Sequence, residues 1–220
     1  MEKMPFREQP DGKAATSDRG PWRALPDWRS RLPLLAGRDV TLREVRPTDA
    51  SSLLSMLSPR EVTRFISPPP ATLEGFDRFI AWSVAQRAQG ASVCFGVLPA
   101  GFDDAVGVVQ VRQLEPGFGT AEWGFALGSE FWGRGIFVEA GRLVVDFVFN
   151  VLRTHRLEAR AVVGDGRGNG ALKKIGAVQE TILRGSFLRH GRYLDQFLWS
   201  ILDEDWRGAA APCPRSFAVH

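Results

Sequence analysis

Cysteine is nearly absent. Cys94 and Cys213 are the only two in 220 residues, too few and too far apart for a disulfide framework or a thiolate metal site. Cys94 lies in an apolar run and Cys213 between two prolines, so neither is assigned a role. Histidine is as scarce: His155, His190 and His220 have no Cys or carboxylate at metal-ligand spacing, and no metal is expected. Also missing is an apolar run of the ~18 residues that a bilayer span demands. The best window, Leu143 to Leu152, is broken by Asp146 and Asn150, so no membrane partner is expected. The opening Met1-Glu2-Lys3-Met4-Pro5-Phe6-Arg7 lacks the apolar stretch of a secretory signal, and a cytoplasmic location is the expectation. Charge of one sign is lacking too. Residues 1–38 hold eight basic and five acidic side chains, which accounts for the net +3 and leaves the remainder balanced. Those arginines alternate with Trp, Leu, Pro and Asp instead of forming a run, which argues against a nucleic-acid partner.

What the chain does have is an ordinary globular composition, 44% hydrophobic and 24% charged, without an internal repeat. This implies one mixed α/β domain over residues 37–207. A partly ordered extension, 1–36, precedes it and a short tail, 208–220, follows. Trp22, Leu25, Trp28, Leu32, Leu34 and Leu35 equip the extension to pack on the body or on a second subunit, which leaves room for a homodimer. Alternation marks a strand from Asp39 to Val45, and Pro47-Thr48-Asp49 opens a helix through Leu53, Leu54 and Leu57. Short helices follow at about Pro59 to Phe65 and, capped by Thr72, through Phe76, Phe79, Ile80 and Val84. Strand-like runs at Ser92 to Leu98, Ala105 to Leu114 and Thr120 to Leu127 form an antiparallel meander across turns at Pro99-Ala100-Gly101 and Glu115-Pro116-Gly117. The period then becomes helical from Ile136 to Val151. A strand at Arg156 to Val163, a helix around Ala171 to Ile175 closed by Gly176, and two strands at Ala177 to Phe187 and Tyr193 to Leu202 complete the domain.

The most informative stretch is the strand at Ala121 to Leu127 that runs through Gly133-Arg134-Gly135 into the long helix. Glycines there let backbone approach a ligand without Cβ interference and turn unpaired N-terminal amides outward, which makes a phosphate nest. A turn that merely needs two glycines is the alternative.

Four blocks carry a family resemblance. They are Arg43-Glu44-Val45-Arg46-Pro47-Thr48-Asp49-Ala50, then Ala121-Glu122-Trp123-Gly124-Phe125-Ala126-Leu127, then Phe131-Trp132-Gly133-Arg134-Gly135 with Glu139-Ala140, and Leu172 to Glu180 continuing to Leu183-Arg184 and His190 to Asp195. In order and spacing they resemble the acetyl-CoA-dependent N-acetyltransferases of the GNAT superfamily, RimJ/RimL-like branch, from about Val40 to Trp206. The resemblance implies a central, mostly antiparallel twisted sheet of about seven strands, splayed at the CoA site and flanked by helices. It also implies acetyl-CoA as cosubstrate. Amides of Gly133, Arg134, Gly135, Ile136, Phe137 and Val138 would hold the pyrophosphate, and main-chain groups of Phe125, Ala126 and Leu127 the pantetheine arm. Trp132 and Phe137 depart from the family's loop pattern, in which the first place is Gln or Arg and the last Gly or Ala. By the same alignment Asp165 falls where an Asn is frequent, Gly168 at a frequent Ser, and Leu172 at the Tyr that commonly protonates the thiolate.

Acetyl transfer needs a neutral amine and a polarised thioester carbonyl. Glu122 is the favoured general base, with Glu158 second; the alternative for Glu122 is a strand-face carboxylate paired with an arginine. Tyr193, the only tyrosine, is a candidate acid, or simply a hairpin residue. With no positioned Ser or Cys nucleophile, the expected chemistry is direct attack by a primary amine, a protein N-terminus or a small molecule. A non-catalytic acyl-CoA-binding regulatory or scaffold protein on the same fold is the alternative.

Overall fold

The computed structural model describes residues 27–209. One eight-stranded sheet runs through it, with strands β1 (Leu35–Ala36), β2 (Val40–Glu44), β3 (Ser92–Pro99), β4 (Gly107–Gln113), β5 (Thr120–Leu127), β6 (Arg156–Val162), β7 (Val178–Arg189) and β8 (Arg192–Leu202). Their order is β1-β2-β3-β4-β5-β6-β8-β7, and every pairing is antiparallel except β5 with β6. Helices α1 (Ala50–Leu57), α2 (Arg60–Thr63) and α3 (Leu73–Ala88) come before β3, α4 (Ile136–Phe147) between β5 and β6, α5 (Gly166–Ile175) before β7, and α6 (Asp203–Ala209) after β8.

Alternation along the central strand explains the layering. All eight residues of β3 are buried, because both of its faces are covered. Phe95 packs edge-on against Phe147 of α4 at 5.2 Å, while Cys94 belongs to a second core with Leu53, Leu57, Phe76 and Ile80 of α1 and α3. Successive side chains on a strand point to opposite faces, so the two neighbours serve two cores. Burial pushes the Cys94 thiol up to about 12, which keeps it protonated and unreactive.

The first block of the resemblance is a structural clamp. Arg43 Nη1 and Nη2 each lie 2.8 Å from an oxygen of the fully buried Asp49, which also accepts from the backbone N–H of Arg46 at 2.7 Å and of Ala105 at 2.9 Å. A buried charge persists only when paired and hydrogen-bonded, and here both carboxylate oxygens are satisfied. Glu139, on the first turn of α4, accepts from the backbone N–H of Arg38 and Asp39 and so fixes the β1–β2 turn to that helix.

The sheet has eight strands where about seven were expected. The extra one, β1, lies in the extension, whose Trp28, Leu32 and Leu35 are buried in the main core. Trp28 packs edge-on against Phe118 at 5.6 Å. Helix α4 is shorter than its pattern and ends in one π turn, Val148–Leu152. Helix α6, at the end of the expected domain, was not anticipated. The expectations for Trp22, Leu25, Cys213, His220 and the tail beyond Ala209 lie outside the described residues.

Candidate active site

Strands β5 and β6 run side by side for only three positions, Thr120, Ala121 and Glu122 opposite Arg156, Leu157 and Glu158. Beyond them β5 stays with β4 as far as Leu127, and β6 stays with β8 as far as Val162. The strands therefore part like a V, and two adjoining cavities of about 420 and 550 Å³ open at the split. Phe65, Ile66, Phe125, Ala126, Asp165 and Gly168 line both.

The smaller cavity is bounded by the turn into α4. Gly133 and Gly135 have φ of +74° and +81°, and a Cβ built on either would meet no atom within 4 Å. Left-handed backbone suits glycine, and both glycines line the cavity just ahead of the first turn of α4. The first intrahelical bond of α4 is from Glu139 N to Gly135 O, so the N–H groups of Ile136, Phe137 and Val138 have no acceptor within the helix. This is a fitting cradle for a diphosphate. Of the expected residues, Phe125, Ala126, Leu127, Gly133, Gly135, Phe137 and Val138 line the cavity. Arg134 and Ile136 do not: the Arg134 guanidinium lies 5.8 Å from the centre of the Phe131 ring, and the Ile136 side chain is buried in the core.

The two departures from the loop pattern have structural reasons. Phe137 packs at a tilt against Phe125, ring centres 3.8 Å apart, and stacks on Trp123 at 6.1 Å, so its bulk is partly buried against the core. Trp132 donates from Nε1 to the Leu127 carbonyl at 2.9 Å, tying the loop to the end of β5. One acceptor site of Leu127 is thereby taken, which reduces what that residue offers a ligand. Over the Trp132 ring lies the Arg167 guanidinium, 3.8 Å from its centre. Arg167, Lys174 and Arg64 also line this cavity, and sequence reasoning missed all three. Arg167 and Lys174 share a helix face at i, i+7, a spacing that offered a signal; Arg64 had none.

Glu122 lines the larger cavity. One of its oxygens, Oε2, is bonded to Arg112, and Oε1 lies 3.5 Å from Arg160 Nε. The arginine-paired arrangement foreseen as the alternative is thus present, with the carboxylate still at the cavity wall. Glu158 is bound at 2.7 Å to Arg156, which also holds Glu180, and lines neither cavity. Tyr193 is 71% exposed on the β7–β8 hairpin and lies outside both cavities, so the structure does not bring it to the site. Leu172 is fully buried. Asp165 caps α5 by accepting from Gly168 N at 3.0 Å, and the neighbouring Asn169 bonds to Val162 O, Asp165 O and Trp199 Nε1.

The sheet is thus splayed after one short parallel pairing, with a glycine turn and a helix N-terminus at the mouth of the split. The model of the acetyltransferase (GNAT) domain matches residues 39–178, and the chain belongs to that family. It is 26% identical over 170 residues to the uncharacterized N-acetyltransferase p20 of Bacillus licheniformis, covering 77% of this chain and 96% of that one. The ribosomal-protein-S5-alanine acetyltransferase of Vibrio fischeri has the same fold, with a TM-score of 0.71 at 20% identity over 79% of this chain and 98% of that one. So has the microcin C7 self-immunity acetyltransferase MccE, solved with acetyl-CoA and AMP, with a TM-score of 0.67 at 19% identity over 76% and 93%. The protein is an acetyl-CoA-dependent N-acetyltransferase. Among the described residues no cluster of His, Cys, Asp or Glu could hold a metal, and no helix is long and apolar enough to cross a membrane.

Proposed function

We propose that the enzyme works in the cytoplasm and acetylates a primary amine, a protein N-terminus or a small molecule, bound in the 550 Å³ cavity beside Glu122. The observation that carries this reading is the continuity of that cavity with the glycine-turn cavity along the free side of β5. A donor held on one side of the split and an acceptor on the other would meet there. Bound acetyl-CoA supplies the thioester.

The chain's residues do the rest. Amides of Gly133, Gly135, Phe137 and Val138, with Arg64, Arg167 and Lys174, hold the phosphates by charge-assisted hydrogen bonds. Phe125 and Ala126 line both cavities and align the arm between them. Glu122 takes the proton from the attacking amine, directly or through one water. Oε1 is the oxygen suited to this, since its 3.5 Å contact with Arg160 is too long for a hydrogen bond. Nitrogen bonds to the carbonyl carbon, the carbon–sulfur bond breaks, and the proton released by nitrogen passes by way of Glu122 to the departing sulfur or to water. With Leu172 buried and Tyr193 remote, no phenol is placed to supply that proton.

Those same two facts, with the arginine pairing of Glu122, favour the second reading, an acyl-CoA-binding protein without turnover. Thiol release from acetyl-CoA with a panel of amines separates the two. Glu122→Gln is expected to lower kcat by about 100-fold or more, in line with the loss of a general base, with affinity for acetyl-CoA retained. Full activity in that variant removes Glu122 from the mechanism. Binding without turnover on any amine supports the second reading.

A further inference from the structure

The charges on the wall of the larger cavity form an ordered set. Arg112 and Arg160 flank Glu122, one on each oxygen, so the strip reads positive, negative, positive across β4, β5 and β6. The side chain of Glu122 is 15% exposed, while those of Arg112 and Arg160 are 57% and 41% exposed. Each guanidinium has five N–H donors. Among the described residues Arg112 spends one, from Nη2 to Glu122, and Arg160 has only its longer ion-pair contact. The other carboxylate lining this cavity, Asp165, is committed to capping α5. The wall around the strip is apolar and aromatic, from Phe65 and Ile66 through Pro68 to Pro70 and on to Phe76 and Phe79.

A polycationic amine would meet two arginines here, and like charges repel. A neutral amine would leave most of the donors with water alone. An amine with a carboxylate a few bonds away matches the strip: its nitrogen faces Glu122, and its carboxylate takes the free donors of Arg112 or Arg160, which bind carboxylates in fork geometry. We infer that the acceptor of this enzyme carries a carboxylate close to its amine and an apolar body, as an apolar amino acid or an acidic peptide N-terminus does. This rests on the acetyltransferase reading of the site and narrows it.

The test uses the full chain at saturating acetyl-CoA and follows thiol release. Leucine and phenylalanine are compared with leucinamide and phenylalaninamide, and peptides beginning Ala-Glu with the same peptides beginning Ala-Gln. The acid of at least one pair is expected to show about ten-fold higher kcat/KM, as one charge-assisted hydrogen bond supplies. The amide's amine loses its proton more readily, so intrinsic reactivity runs the other way. The preferred pair identifies the source of the carboxylate as a free amino acid or a peptide. Arg112→Gln and Arg160→Gln are expected to reduce the preference through KM, and Arg→Lys at the same places to restore part of it. Acetyl-CoA affinity, measured by calorimetry, should not change. Equal kcat/KM for acid and amide in every pair, or an acid preference that survives both Gln variants, overturns the inference while the acetyltransferase reading stands. Turnover of no amine with acetyl-CoA still bound also overturns it. Failure to bind acetyl-CoA defeats the reading on which it rests.

Discussion

Replacing Gly135 by alanine separates what the glycine turn does for the fold from what it does for the ligand. Gly135 has φ +81° and a built Cβ meets nothing within 4 Å, so no protein atom must move. The cost to folding is the left-handed backbone alone, about 1 kcal/mol, or roughly 2–4 °C in Tm for a chain of this size. Gly176 is the matched control. It ends α5 with φ +99°, its Cβ would also meet nothing within 4 Å, and it lines neither cavity. Gly176→Ala should cost the same about 1 kcal/mol and leave acetyl-CoA affinity untouched. Gly135→Ala puts a methyl group where a phosphate would sit against the amides. Losing one hydrogen bond to a charged group costs about 1.5–3 kcal/mol, which is about a ten- to hundred-fold weaker Kd. Calorimetry with acetyl-CoA and thermal melts on both variants give the four numbers. If both variants melt a few degrees early and both bind acetyl-CoA like the parent, the amides after Gly135 are not the anion site.

Asp49→Ala leaves the Arg43 guanidinium buried without its partner and should cost about 3–5 kcal/mol; an unchanged denaturation midpoint would show that the clamp is dispensable. Burial tends to raise the Asp49 carboxyl, but hydrogen bonds from Arg43 and from the N–H of Ala105 and Arg46 prevail and hold it below its ordinary value. Hydrogen bonds from Arg156 and then Ser200 bring Glu180 from 4.5 down to about 2. Each group binds its proton more weakly folded than unfolded, so its stabilisation is present above the ordinary value and is lost as pH falls through the folded one. Between pH 4.5 and about 2 the stability of Glu180→Gln should fall less steeply than that of the parent; parallel acid limbs in urea melts would contradict this. Tyr193→Phe should leave kcat and KM within about two-fold of the parent, the small effect expected of an exposed hairpin residue. A large loss of kcat there would return Tyr193 to the chemistry.

Much of the fold was written in local periodicity. The switch from period 2 in Thr120 to Leu127 to period 3.6 after Gly135 placed β5 and the start of α4. Strand β1 escaped because two residues cannot show alternation. Helix α6 follows β8 without a break, yet its first turn holds Asp203, Glu204 and Asp205, the charge pattern of a helix start. The pairing of Glu122 with Arg112 was within reach, since a hairpin folded about Gly117 sets them opposite each other, as the β4–β5 register does. Arg160 was not, because its approach to Glu122 depends on β6 lying parallel beside β5 after a helical crossover, a tertiary fact that no local pattern encodes.

The split itself follows from where each strand finds its partners. Past Glu122, β5 is held on one edge by β4, and past Glu158, β6 is held on one edge by β8. Each keeps an inner edge of backbone N–H and C=O groups that no strand pairs. Trp132 takes the Leu127 carbonyl at the open end, and the edge of β5 between Glu122 and that point lines both cavities through Phe125 and Ala126. Unpaired backbone shielded from water carries a free-energy cost unless a partner satisfies it. Water is one such partner. An extended arm carrying its own amides is a better one, because it satisfies several groups at once and buries apolar surface against Phe125. Three registers of parallel pairing keep the strands aligned at the base, and their separation above it creates two strand edges facing a common gap. On the proposed reading the arm is held through backbone, and Trp132 and Phe137 at the loop are compatible with that: neither side chain is bonded to a peptide group of the inner edge between Glu122 and Ala126.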